Sequence, residues 1–416
     1  MKTLFGRFLP LLAPLCVLML MDSCGRPAPE PEYLSVGIPP LTLSGVAQLF
    51  SGLPLGPEQV REVRDAVRSS SSCGYDEEYM MRDLFEAPGS GVGSAREETR
   101  ASSYVHPLRD LIRAHLAERT LTRAGGDVDV EAFIASLSAS GMQIYWPYSD
   151  AWDGETMPLI TFDPESEAAA NIGYETWLES DGTVRVRQVT VDEEVARTRP
   201  VWVINANDDS AYTSLEQLRR QDPGWGQGGR ILVGALPGQD LPAPRSRVES
   251  PTGREDVSQD FRTLVLKDFK MKQHYDSWFR GASEFWVKCG SVQGFTASTE
   301  AEMRLFQPSV TDFMISVKRD QLGLTLPFDA VIISDWTEQL DSFAFLIVED
   351  DGGTRTSWKV DATVKVQSKS YGITIDIPYN ERDDIVWRGS LTSRYFEKYA
   401  GEVVHFGGVD VTFELR

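Results

Sequence analysis

The feature that most restricts the fold of this chain is a series of short β-strand patterns from residue 142 to the C-terminus. Runs of aromatic and β-branched residues alternate there with turns rich in Asp, Gly and Pro. In residues 360–366, Val and Ala alternate with Asp, Thr and Lys, a pattern typical of a strand with one buried face. Such spacing predicts a β-rich α+β protein with two β-sandwich-like domains.

The region before these strands, residues 44–141, has mostly helical patterns. Val60, Val63 and Val67 lie at helical spacing after a proline, and apolar residues of 108–116 repeat the pattern. Runs rich in Ser and Gly at 69–72 and 87–94 predict loops. Further along the chain, Thr213–Glu216 has the pattern of a capping box and predicts the start of a helix within the β-rich region.

The N-terminal 24 residues have the composition of an export signal. Lys2 and Arg7 precede an apolar run over 8–21, which is shorter than the roughly 20 residues that a membrane span needs. Met21-Asp22-Ser23-Cys24 resembles the lipobox of bacterial lipoproteins. This resemblance implies cleavage before Cys24 and acylation of its thiol. An ordinary signal peptide with an incidental Cys24, or a short anchor, is the alternative interpretation.

The residues after Cys24 are suited to a tether. Alternating prolines in 25–32 favour an extended, hydrated chain. Gly25 stands where many lipoproteins of the inner membrane have aspartate, so the same resemblance implies attachment to the outer membrane. The predicted division of the chain is a signal peptide (1–23), a lipidated tether (24–43), a mostly helical region (44–141), a β-rich domain (142–238), a linker (239–258) and an antiparallel β-sandwich (259–416).

The net charge of −21 restricts the partners of the chain. An acidic surface repels phosphate backbones, and the sequence has no stripe of Lys and Arg with interleaved aromatic residues, so nucleic-acid binding is excluded. Attachment to a membrane is expected through the acyl chains on Cys24. After processing, Cys73 and Cys289 remain, and in an oxidising compartment they either form a disulfide or stay as two buried thiols.

Motifs for catalysis are absent from the sequence. The four histidines are isolated, and there is no HExxH motif, nucleophile elbow or phosphate-binding loop. The chain is therefore predicted to be a binding or structural protein of the cell envelope that requires no cofactor, with an envelope polymer or a protein as partner. An envelope glycan hydrolase is the alternative, with a carboxylate pair drawn from Asp150, Asp153, Glu155 and Asp163, next to Trp146, Tyr148 and Trp152.

Acidic turns supply the candidate metal ligands. Asp208 and Asp209 follow an apolar strand pattern, and the C-terminal region places Asp350, Asp351, Asp383 and Asp384 in two turns. Carboxylates of this kind bind Ca²⁺, but Asp is also favoured in turns that bind nothing. Residues 380–389 resemble the third calcium loop of C2 domains, which implies a calcium-stabilised adhesion module as a further alternative.

Overall fold

The computed structural model of the chain describes residues 39–86, 104–121, 129–166, 168–207, 213–221 and 262–416. Its helices are α1 (Leu43–Ser51), α2 (Pro57–Ser72), α3 (Met81–Phe85), α4 (Leu108–Leu121), α5 (Val130–Ser138), α6 (Glu193–Thr198), α7 (Leu215–Gln221), α8 (Glu300–Met303) and α9 (Ser393–Tyr399). Among these described helices, none is long and apolar enough to cross a membrane.

The strands fall into two groups along the chain. Those before residue 210 are β1 (Glu78–Met80), β2 (Met142–Tyr145), β3 (Leu159–Phe162), β4 (Ala170–Leu178), β5 (Val184–Asp192) and β6 (Val201–Ala206). Those after residue 260 are β7 (Arg262–Met271), β8 (Ser283–Ser291), β9 (Ser309–Val317), β10 (Leu326–Trp336), β11 (Leu340–Glu349), β12 (Arg355–Val366), β13 (Lys369–Asn380), β14 (Asp384–Thr392), β15 (Val403–Phe406) and β16 (Val409–Leu415).

The N-terminal half is one sheet with helices packed on one face. Its strand order is β1-β2-β6-β3-β4-β5, with β3 parallel to β6 and the other neighbours antiparallel. Helix α1 begins at Thr42, whose Oγ1 accepts a hydrogen bond from the N–H of Gly45 at 3.1 Å, as an N-cap residue does. Val46 and Phe50 of α1 lie four residues apart and are fully buried in the core shared with the sheet.

The opposite face of this sheet packs against the segment 272–282, which connects β7 to β8. Trp278 and Phe279 of this segment are buried in one cluster with Tyr145, Val201 and Val203 of the sheet. The two halves of the chain are therefore joined through an apolar contact.

The C-terminal half is a sandwich of two antiparallel sheets. One sheet has the order β10-β7-β16-β15, and the other has the order β13-β12-β11-β8-β9, with β14 paired to β11. Phe269, Phe285, Phe345 and Phe413 from both sheets fill the core between them. A smaller core of Ala344, Leu346, Val348, Ala362, Ile375 and Ile377 joins β11 to the β12–β13 hairpin.

The structure confirms the strand-rich α+β class and its helical N-terminal region. The structure differs from the prediction in the first β-region, residues 142–207, whose strands belong to a single sheet and not to a sandwich of two. Because β1 pairs with β2, with Tyr79 opposite Ile144, regions 44–141 and 142–207 share one sheet and one core. The loop predicted at 69–72 is wrong, since these serines form the last turn of α2. The predictions for 1–23, 24–38, 87–94 and 239–258 lie outside the described residues.

Candidate metal centre

Three carboxylates converge at one end of the sandwich. Asp276 lies in the segment between β7 and β8, Glu284 is the second residue of β8, and Glu349 is the last residue of β11. The register of β11 with β8 places Glu349 opposite Phe285, so that the end of one strand lies beside the start of the other. One oxygen atom from each of the three side chains lies within 4.8 Å of the other two.

Burial makes this group unusual. Glu349 is 0% exposed and Glu284 is 5% exposed, whereas Asp276 is partly buried. Glu284 accepts a hydrogen bond from the hydroxyl of Ser316 at 3.3 Å. Neither oxygen of Glu349 receives a hydrogen bond from an amide, hydroxyl or basic group of the described residues. A buried carboxylate without a donor is costly, so this position requires either a proton or a cation.

The electrostatics of the group lead to the same requirement. Burial raises the pKa of Glu349 far above its ordinary value of 4.5, and the adjacent carboxyl of Asp276 raises it further. Burial also raises the pKa of Asp276, although Arg280 and Arg319 oppose this effect. Carboxylates this close cannot all ionise without a compensating positive charge.

Two of the predicted ligands, Asp351 and Asp384, lie next to this group. The charges of both raise the pKa of Glu349, and Asp384 is paired with Glu349 in the β11–β14 register. Burial raises the pKa of Asp351 to about 6, with a further contribution from the charges of Asp276 and Asp384. Two residues of the predicted acidic turns therefore lie beside the buried carboxylates.

Asp350, the other predicted ligand of the first turn, accepts hydrogen bonds that hold its own turn and the neighbouring strands in place. Its carboxylate accepts hydrogen bonds from Nε1 of Trp286 at 3.0 Å, from Nδ2 of Asn380 at 3.2 Å and from the N–H of Gly352 at 3.0 Å. With three donors already bound, Asp350 serves as a turn residue.

The two carboxyl oxygens of Asp383 have different surroundings. Its Oδ2 accepts a hydrogen bond from the N–H of Asn380 at 2.7 Å, whereas its Oδ1 is buried without a partner among the described residues. Burial raises the pKa of Asp383 to about 6, although the hydrogen bond from Asn380 lowers it. Lys288, which is 7% exposed and 3.6 Å from Asp312, is the positive charge on this side of the cluster.

Sequence reasoning missed Asp276 and Glu284. Neither residue belongs to an acidic run. Glu284 interrupts the apolar pattern of β8 near its start, and Lys288 is the other charged residue of this strand. The only local signal was this charge within a strand of mostly apolar residues. Of the remaining predicted sites, Asp208, Asp209 and Cys24 lie outside the described residues.

The two remaining cysteines are separate thiols. Both Cys73 and Cys289 are buried and free, so the chain has the second of the two predicted alternatives and not the disulfide. Nη1 of Arg220 donates a hydrogen bond to the sulfur of Cys73 at 2.9 Å. Cys289 lies in the core of the sandwich, where burial raises the pKa of its thiol.

The aromatic residues considered for a glycan hydrolase belong mainly to the core. Trp146 and Trp152 are 1% and 8% exposed and contact each other edge to face, at 5.7 Å between ring centroids. Asp150 forms an ion pair with Arg68 at 3.2 Å, and Asp153 accepts hydrogen bonds within its own turn. These side chains are engaged in local structure, and the two tryptophans do not present a platform for a sugar.

No protein-family model, curated protein or solved structure matches this chain.

Proposed function

We propose that this chain is an exported, lipid-anchored protein of the bacterial envelope, of the binding or structural type, whose C-terminal sandwich binds a calcium ion. The single observation that supports the calcium site is Glu349, which is fully buried beside Asp276 and Glu284 and receives no hydrogen bond from an amide, hydroxyl or basic group in the described part of the chain. The lipobox-like residues that end at Cys24, with the proline-rich segment after them, support the anchor. The acyl chains would attach the protein, with the outer membrane as the favoured location.

Calcium fits the chemistry of the donors better than other common metals. The three groups offer only carboxylate oxygens, and Ca²⁺ takes six to eight oxygen ligands in flexible geometry. Zinc and copper prefer nitrogen and sulfur ligands, and no His or Cys belongs to this group. A divalent cation would also neutralise the like charges whose proximity raises the pKa values of Asp276 and Glu349.

The calcium site is tested by thermal unfolding of the full chain in detergent micelles, first with EDTA and then across a calcium series. A site occupied at 100 times its Kd adds about 2.7 kcal/mol to the free energy of unfolding. The series should extend to about 10 mM, because extracellular calcium modules have Kd values of about 0.1 to 1 mM. We expect a rise in Tm with calcium and a smaller one with magnesium, whose octahedral geometry this group suits less well.

Variants locate the site. Glu349→Gln should abolish the rise in Tm with calcium while leaving the Tm in EDTA equal or higher, because it removes a buried carboxylate. Asp341→Asn is the matched control in the same sandwich, since Asp341 instead contacts Lys365, at 2.5 Å. No change in Tm with calcium in the unmodified chain would refute the site, as would an unaltered response of Glu349→Gln.

The anchor is tested independently. Mass spectrometry of the N-terminal peptide should find an acylated Cys24 as the first residue. Replacement by Cys24→Ser should release the protein from membranes. An unmodified Cys24 within a longer mature chain would contradict the lipoprotein proposal without affecting the calcium site.

A further inference from the structure

A cleft of about 320 Å³ lies on the N-terminal sheet, remote in sequence from the carboxylates of the sandwich. The residues that line it include Met157, Pro158, Glu175, Trp177, Arg187 and Arg199. Its volume is at the lower end of the range of about 300 to 1,000 Å³ that is typical of sites for small ligands. The cleft therefore fits one or two sugar rings better than a folded partner.

One wall of the cleft is an exposed indole. Trp177 is 41% exposed, although tryptophan is highly buried on average. It lies two residues after Glu175 on β4, so both side chains are on the same face of the sheet. The opposite face of β4 contributes Tyr174 to the helix-covered core. Trp177 is thus not needed to fill that core, and its flat apolar surface is available to a ligand.

The polar wall is formed by a glutamate held between two arginines. Nη2 of Arg187 and Nη1 of Arg199 each donate to a different oxygen of Glu175, the latter at 3.0 Å. Hydrogen bonding to Arg187, and also to Arg199, lowers the pKa of Glu175, which keeps it ionised. A guanidinium has five N–H donors, so both arginines retain donors for a ligand after binding Glu175.

The charge of the cleft is opposite to that of the chain. Two arginines and one glutamate give a local excess of one positive charge on a protein with a net charge of −21. Planar guanidinium groups bind carboxylates through paired hydrogen bonds, which single ammonium groups cannot reproduce. Charge complementarity therefore favours a ligand that carries a carboxylate.

The loop that lines one side of the cleft is held by its own hydrogen bonds. Asp153 accepts from the N–H groups of Glu155 and Thr156, at 2.9 and 2.8 Å, and from the hydroxyl of Thr156 at 2.6 Å. Nε1 of Trp152 donates to the carbonyl oxygen of Thr156 at 2.8 Å. A loop fixed in this way loses little entropy when a ligand binds.

We propose that this Trp177 cleft binds a carboxylate-bearing saccharide. The apolar C–H face of a sugar ring stacks on Trp177, and its carboxylate binds Arg187 and Arg199. Glu175 orients the two guanidinium groups and accepts a hydrogen bond from a sugar hydroxyl. This site is separate from the proposed calcium site and does not depend on it.

The test uses the full chain in detergent micelles, with D-glucuronate and a glucuronate-containing disaccharide as probes and glucose as the neutral comparison. Calorimetry or saturation-transfer NMR should detect saturable binding of both acids and much weaker binding of glucose. The affinity should be equal in EDTA and in calcium. A chain that does not bind calcium could therefore still bind glucuronate. Likewise, a chain that does not bind glucuronate could still show a rise in Tm with calcium.

Variants assign the binding to the cleft. Arg187→Gln and Arg199→Gln should each weaken binding of glucuronate about tenfold, as expected for loss of a charged hydrogen-bonded pair. Trp177→Ala should weaken glucose and glucuronate alike, and Trp177→Phe should retain part of the affinity. Arg113→Gln, on α4, makes the same change of charge at a residue that pairs with Glu131 outside the cleft.

Circular dichroism of each variant confirms that it is folded. Three results would overturn the proposal: absence of saturable binding of the acids, equal affinity for glucose and glucuronate, or affinities of the cleft variants equal to that of Arg113→Gln.

Discussion

Single buried carboxyl groups tie the stability of this chain to pH. Glu77 is 4% exposed, accepts a hydrogen bond from the hydroxyl of Ser149 at 2.9 Å and lies 3.9 Å from Nζ of Lys318. Burial raises the pKa of Glu77 to about 7, and Lys318 only partly offsets this effect. The pKa of Glu62 is likewise raised to about 7 by burial.

We predict that Glu77→Gln makes the free energy of unfolding less dependent on pH. The pKa of Glu77 is about 7 in the folded chain and 4.5 when unperturbed, so the folded state binds more protons between these values. Stability therefore falls as pH rises through this window, by about 3 kcal/mol for this residue. Glutamine removes this loss because it stays neutral and can still accept the hydrogen bond from Ser149.

The measurement is urea unfolding at a series of pH values from 4.5 to 8. Glu155→Gln, at an exposed position, controls for the loss of one negative charge. If the free energy of unfolding depends on pH as strongly in Glu77→Gln as in the unmodified chain, Glu77 is ionised in the folded chain throughout this range. In both Glu77→Gln and Glu155→Gln, Glu62 should still contribute to the dependence of the free energy of unfolding on pH.

The segment between β7 and β8 links the carboxylate group to the N-terminal sheet. It carries Asp276, and two residues later Trp278 packs on Phe279 at 4.0 Å between ring centroids. Nδ2 of Asn205 donates to the carbonyl oxygens of Phe279 and Arg280, at 3.1 and 2.6 Å. Gly281 has a φ of +142°, and a side chain there would clash with the carboxylate of Asp76.

We predict that Trp278→Ala lowers the free energy of unfolding by about 3 to 5 kcal/mol, the usual cost of removing a buried aromatic side chain. It also removes the hydrogen bond from Nε1 to the carbonyl oxygen of Ala169, which is 3.1 Å long. Because Asp276 lies on the same short segment, calcium affinity should fall as well. Trp278→Phe should restore most of both properties, as measured by urea unfolding and calcium titration. A stable Trp278→Ala variant with unaltered affinity would show that the segment does not position Asp276.

Strands with a strong local pattern could be predicted from the sequence, whereas segments stabilised by distant contacts could not. The alternation in 360–366 corresponds to β12, in which Ala362, Val364 and Val366 are buried. The serines at 69–72 were predicted as a loop from composition, but Ser70 is buried and its hydroxyl donates to Glu78 at 3.3 Å. That contact with β1 cannot be inferred from the local sequence.

The candidate metal centre could likewise be predicted only in part from the local sequence. Asp351 and Asp384 could be found because acidic residues cluster in turns at strand ends. Glu284 joins them through the pairing of β11 with β8, and strand register depends on the whole sandwich. Asp276 joins them through the segment before β8, which packs on the distant N-terminal sheet. Likewise, Trp146 and Trp152 were considered for a sugar-binding platform beside acidic residues, whereas packing of helices on the sheet buries both.

The two halves of the protein are also joined by a charged contact. Arg319, which is 6% exposed, forms two bonds with Glu193 of α6, from Nε at 3.2 Å and from Nη2 at 3.3 Å. Its Nη1 donates to the carbonyl oxygen of Asp276 at 2.9 Å. Burial alone would raise the pKa of Glu193, but the hydrogen bonds and charge of Arg319, with Tyr148 and Arg197, lower it to about 2.

We predict that Arg319→Met destabilises the chain by about 3 kcal/mol, because it leaves Glu193 and the carbonyl of Asp276 without their main donor. In Arg319→Met, Glu193 still contacts Tyr148 and Arg197 but has lost its bonds to Arg319. The double variant Arg319→Met/Glu193→Gln should recover part of this loss, since a neutral side chain needs less compensation at this half-buried position. The Arg319–Glu193 pair also makes the free energy of unfolding depend on pH in the acidic range. With a pKa of about 2 when folded and 4.5 when unperturbed, Glu193 stabilises the chain above pH 4.5, and this contribution is lost as pH falls towards 2.

Urea unfolding of the single and double variants at pH 7 and at pH 3 measures both effects. The difference in the free energy of unfolding between the unmodified chain and Arg319→Met should be larger at pH 7 than at pH 3, because protonation of Glu193 removes the charge that Arg319 no longer compensates. Arg394→Met, at an exposed position of α9, controls for the loss of one positive charge. Equal losses for the two single variants, or a double variant no more stable than Arg319→Met, would show that the Arg319–Glu193 pair does not hold the halves together.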